Sequence, residues 1–111
     1  MDSRNIYESA KTYIQGVRWI IPKNSNDSEW IFIGTQNNLE DITKNIQDFL
    51  VSDQLYIVIN RRESFKTDKK LINDNIKPLI GNVDFSIWNF QFDTVIEFNK
   101  IGIYRVGNKI N

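Results

Sequence analysis

The sequence predicts an α/β fold of α+β type with a mixed sheet. It reads as one domain over residues 1–111, a sandwich of about five or six strands with three helices and a C-terminal antiparallel meander. Three observations predict it. The length suits a single domain that buries its own core. Apolar residues recur at helical spacing in three stretches. Between and after these lie short runs rich in Ile, Val, Phe and Trp, one of them with strict period two.

The first helix is expected over residues 3–15. Asp2 or Ser3 caps it, Ile6, Ala10, Tyr13, Ile14 and Val17 fall near one face, and Gly16 stands where a left-handed C-terminal residue is wanted. Runs at 17–21 and 30–33 read as a hairpin, because residues 22–28 between them are dense in turn formers. A second helix spans 39–52, with Asn38 as cap and Asp41 close to a capping-box position. Its buried stripe is Leu39, Ile42, Ile46, Phe49 and Leu50. Its other face carries Glu40, Asp41 and Asp48, with Asp53 just beyond and Lys44 as the lone cation.

The continuous apolar run 55–59 suits a strand covered on both sides. A loop over 60–65 leads to a third helix over 68–77, capped by Asp68 and burying Leu71, Ile72, Ile76 and Leu79 or Ile80. Pro78 ends it, since proline has no N–H to give to the helix. Strands at 83–88, 94–98 and 101–106 follow, the last two joined by a tight Asn99-Lys100 turn. Two β–α–β units emerge, 30–33 to 55–59 and 55–59 to 83–88, each long enough for a parallel right-handed crossover.

Composition removes much chemistry. The chain has no His and no Cys, so disulfides, thiol nucleophiles, imidazole triads and Cys- or His-ligated zinc are excluded, and no cofactor is expected. The 14 basic and 14 acidic residues cancel, which argues against a general nucleic-acid binder. There is neither a membrane-spanning apolar run nor a signal-peptide start, so a cytoplasmic protein is expected. Fourteen Asn and eighteen Ile beside a single Ala fit an AT-rich bacterial gene.

The cancelling charges are unevenly placed. Residues 1–60 hold five bases and eight acids, whereas residues 61–111 hold nine and six. Opposed charged faces suit a protein partner, because complementary fields steer association. An acidic and a basic helix lying side by side would explain the same pattern. Arg61 and Arg62 follow the most buried strand, where open α/β sheets place ligand crevices, and their planar forks suit a carboxylate or phosphate; a solvated loop is the plainer alternative. Asp84 and Glu97 lie on strands that could be neighbours and could divide acid and base roles, or simply face solvent. Trp88, Phe90 and Phe92 surround a turn, either as anchors for a partner or as the closed end of the core.

Phe85-Ser86-Ile87-Trp88, with the later run Val95-Ile96-Glu97-Phe98-Asn99-Lys100-Ile101-Gly102-Ile103-Tyr104-Arg105-Val106-Gly107, resembles segments of small bacterial immunity proteins. These neutralise polymorphic toxins, including those of contact-dependent growth-inhibition systems. The resemblance implies a non-enzymatic, cytoplasmic binding protein whose partner is the C-terminal domain of a cognate toxin, often a nuclease. No binding residue carries over from it. From the residues themselves, Glu40, Asp41, Asp48 and Asp53 form the candidate partner face, mimicking phosphate against a basic cleft. Arg61, Arg62 and Trp88 form the alternative ligand or partner surface, with Arg61 and Arg62 serving an anionic ligand or a small enzyme site. An exposed edge strand leaves a homodimer open.

Overall fold

A computed structural model describes residues 1–23, 28–33 and 39–109. Asp2 caps the first helix, α1 (Ser3–Tyr13), by accepting the Asn5 N–H at 2.9 Å; a 3-10 turn (Ile14–Gly16) then leads into β1 (Val17–Trp19). After β2 (Ile31–Phe32) come α2 (Leu39–Phe49), β3 (Gln54–Val58) and β4 (Phe65–Asp68). A second 3-10 turn (Lys69–Leu71) opens the short α3 (Ile72–Ile76). The meander β5 (Phe85–Asn89), β6 (Thr94–Asn99) and β7 (Ile103–Lys109) completes the fold. The predicted cap Asn38 lies outside the described residues.

Among the described residues, three helices and one seven-stranded sheet bear out the expected class, with one strand more than the upper expectation. Every pairing among the described residues is antiparallel, so no mixed sheet forms. The runs 55–59 and 83–88 are antiparallel neighbours, whereas β2 and β3, joined through α2, still run in the same direction without being adjacent. The order is β1-β7-β6-β5-β3-β4, with β2 also on β7. The seventh strand is β4, which turns the expected loop and helix start at 65–68 into a hairpin arm. β4 runs back along β3, and the connection through α3 then enters β5 in the direction of β4, so β5 pairs antiparallel with β3.

The hairpin expected between 17–21 and 30–33 does not form. β1 takes the 107–109 end of β7 and β2 takes Ile103 and Tyr104, so the two share one edge of the longest strand. Gly16 lies in the first 3-10 turn; among the described residues the positive-φ glycines are Gly81 and Gly102. Gly102 closes a four-residue turn, donating its N–H to Asn99 O at 3.0 Å, in place of the tighter Asn99-Lys100 turn. Asp68 precedes the second 3-10 turn without a side-chain cap bond. The regular helix stops at Ile76, before Pro78, and irregular turns carry on to Val83.

Alternation along the strands sends the two clusters of buried side chains to opposite faces. Leu55, Ile57, Phe85, Ile87, Ile96 and Phe98 meet Ile42, Ile46 and Leu50 around α2, and Ile72 and Ile76 of α3. Tyr56, Val58, Trp88 and Val95 meet Ile6 and Ala10 of α1. The result is three layers with the sheet in the middle. Among the described residues no helix is long and apolar enough to cross a membrane.

Candidate functional site

α2 buries Ile42 and Ile46 and turns Glu40, Asp41 and Asp48 outward. At about 100° per residue, Glu40, Asp41, Lys44 and Asp48 fall within a single arc of about 100°, and all four are exposed. Asp53, also exposed, lies past the helix end, where its carbonyl accepts the Lys69 N–H at 2.8 Å. Lys69 Nζ also donates to Gln47 O at 3.2 Å. The basic segment therefore flanks one side of the acidic helix, while the carboxylates of Glu40, Asp48 and Asp53 make no ion pair among the described residues. On the inner edge, Asn45 Nδ2 donates to Tyr104 Oη at 2.9 Å. Burial pushes the Tyr104 phenol above its ordinary pKa, the Asn45 bond opposes this, and the Asp41 charge adds to it.

The arginine pair stands on the loop of residues 59–64 that joins the antiparallel strands β3 and β4, so the strand-end crevice of a parallel sheet does not exist here. Asn60 Oδ1 accepts the Arg62 and Glu63 N–H groups at 2.9 Å each, folding the turn on itself. Arg61 pairs with Glu8 of α1 at 3.4 Å, and both side chains are about half exposed. Each arginine is on the surface. Trp88, expected as a surface anchor, is not on the surface. It is 0% exposed, packed under α1, with its indole N–H donated to Ser86 Oγ at 3.0 Å, so it offers a partner nothing. Phe92 is buried as well, stacked on Tyr56 at 4.6 Å, and Phe90 alone of the three stays 45% exposed.

A second concave feature lies on the α1 face of the sheet. Two rows of side chains run across it in register. The first, Tyr56–Trp88–Val95–Gly107, is covered by α1 and β1. The next, Val58–Ser86–Glu97–Arg105, starts with Val58 still packed in the α1 cluster and turns polar along its length. Along it opens a cavity of about 320 Å³ whose lining includes Trp30, Val58, Asp84, Ser86, Glu97 and Asn99. Asp84 and Glu97 thus do meet at one site. Asp84 Oδ1 accepts the Lys100 N–H at 2.8 Å, and Glu97 Oε1 accepts Arg105 Nε at 2.8 Å and lies 2.7 Å from its NH2.

Arg105 is held on four sides. Its guanidinium lies 3.7 Å from the Trp19 ring centroid and 4.5 Å from that of Trp30, and NH1 reaches Glu29 at 3.2 Å. Such stacking of a guanidinium between indoles, with carboxylates at its edge, is the geometry that its planar charge favours. Sequence reasoning passed over Arg105, Trp19, Trp30 and Glu29 as functional residues. A signal was present: Glu97 and Arg105 occupy alternate, non-core positions on adjacent strands. Knowing that they face each other required the register. Among the described residues no group of three or more acidic side chains is arranged to hold a metal ion.

No family model matches the chain, and neither a curated protein nor a solved structure matches it.

Proposed function

We propose that this chain is a non-enzymatic binding protein, a bacterial cytoplasmic immunity protein that neutralises a cognate toxin domain by docking on it. The observation that carries this reading is the outward acidic arc of α2, Glu40, Asp41 and Asp48, extended by Asp53. A rigid helix anchored through Ile42 and Ile46 presents those carboxylates without having to order them on binding. Their charge suits a basic cleft of the kind that nucleases use to hold phosphate. The arginine turn supports the alternative, ligand-binding or enzymatic reading poorly, since Arg61 is engaged with Glu8 and both arginines lie on an exposed turn.

The test uses the C-terminal domain of the protein encoded directly upstream. Co-expression should protect cells from it, and titration calorimetry should give a tight complex. Reversing Glu40, Asp41, Asp48 and Asp53 together to Lys should weaken binding by about 100-fold or more. Unchanged affinity would remove the α2 face and move the search to Arg61 and Arg62. An upstream metabolic gene, with no toxin domain, would remove the immunity reading itself.

A further inference from the structure

The cavity beside Arg105 carries charge and shape that the α2 reading leaves unused. Glu29, Asp84 and Glu97 surround it or border it, against one guanidinium that is already engaged. Both Arg105 contacts to Glu97 fall on Oε1, and the Lys100 contact to Asp84 falls on Oδ1. Oε2 of Glu97 and Oδ2 of Asp84 therefore accept no hydrogen bond among the described residues. Trp30 and Val58 add apolar surface to the same lining, beside the polar Ser86 and Asn99.

We propose that this cavity receives an arginine side chain presented by a partner protein. A guanidinium has flat, weakly hydrated faces and a rim of donors, so it pairs its edges with carboxylates while its faces lie on apolar walls. Arg105 does this next door with Trp19, Trp30, Glu97 and Glu29. The residual negative charge selects a cation. The surroundings select a protein as its source: in the neighbouring row Phe32 is 72% exposed across from Ile103, and Ile101 in the adjoining turn is 73% exposed. Apolar side chains beside a polar pocket make a surface of the kind that proteins bury against one another. This face is opposite to α2, and the inference stands without the identity of any toxin.

The test is titration of the ¹⁵N-labelled protein with the peptide Ac-Gly-Arg-Gly-NH₂, in parallel with its citrulline and lysine counterparts. Saturable shifts are expected at the Trp30 indole N–H and at the Ser86 and Glu97 amides, with the citrulline peptide inert and the lysine peptide weaker. Asp84→Asn keeps an oxygen for the Lys100 N–H and removes the charge, and should weaken the arginine peptide by about tenfold. Glu97→Gln, which keeps an acceptor for Arg105, should do the same and guards against a folding defect in the first variant. Equal response to citrulline or lysine, no saturable shift at these three probes, or full affinity in both variants would overturn the proposal. None of these outcomes bears on the acidic helix.

Discussion

Ser3 and Ser64 meet across the molecule: the Ser64 N–H donates to Ser3 Oγ at 2.8 Å, and the same hydroxyl donates to Arg61 O at 2.8 Å. One side chain thus fastens the start of α1 to the β3–β4 turn. Ser64 is itself buried, its own hydroxyl donating to Asn60 O and accepting from the Ile59 N–H. Ser3→Ala leaves the Ser64 N–H without its acceptor. The expected cost is about 1–2 kcal/mol, read as a lower urea midpoint with an unchanged slope.

Gly107 sits where β1 crosses the covered row. A Cβ there would run into Val17 Cγ1 and lie 2.9 Å from Trp19 Cε3. Neither neighbour is a flexible chain end, so β1 must move away. Gly107→Ala is expected to destabilise by about 1–3 kcal/mol. Amide hydrogen exchange should speed up in β1 before it does in β3 or β5.

The turn after β5 depends on Asn89. Its Oδ1 accepts the Asp93 and Thr94 N–H groups at 2.9 and 3.1 Å, and its Nδ2 bonds the Asp93 carboxylate. Within that turn Phe92 has a φ of 57°, an uncommon conformation for an aromatic residue, held by its stack on Tyr56. Asn89→Ala should cost about 2–3 kcal/mol, because two backbone donors lose their acceptor at once. Near-ultraviolet circular dichroism should report the loss of the Tyr56–Phe92 packing.

Alkaline pH should unfold the protein through its tyrosines. Burial raises the pKa of both Tyr56 and Tyr104 above the ordinary 10.0. The unfolded chain then gives up its phenolic protons first as pH rises. Stability contributed by the neutral phenols is complete below about pH 10 and declines above it as the folded-state values are approached. Tyr104→Phe should flatten that decline in urea midpoints measured from pH 8 to 11.

The first two helices were legible because burial alone dictates their period, whereas the third, expected over 68–77, is regular only over Ile72–Ile76. Ile42, Ile46 and Leu50 announce α2, and its acidic arc follows from the same spacing. Strand partners were not. Leu55, Tyr56, Ile57 and Val58 are buried whether their neighbours run parallel or antiparallel, so the apolar run carried no direction. What fixes direction is β4, and Phe65, Lys66, Thr67 and Asp68 give no clear alternation to mark a strand. The cavity was half legible for the same reason. Asp84 and Glu97 could be suspected as neighbours, but the indoles that flank Arg105 arrive from β1 and from the segment before β2, whose shared partner no local pattern reveals.

The pairing of β1 with β7 also sets an order of events. Val17 lies opposite Lys109, so the contact joins positions separated by most of the chain, whereas β5, β6 and β7 close over short turns. Loop-closure entropy favours the meander as the earlier structure and β1 as the later one. During synthesis, Ile6 and Ala10 emerge long before Trp88 and Val95, the side chains that will cover them. The amphipathic first helix must therefore wait, with its apolar stripe in water, for a surface made last. A nascent chain halted before β5 should present that stripe to any chaperone that recognises exposed apolar helices.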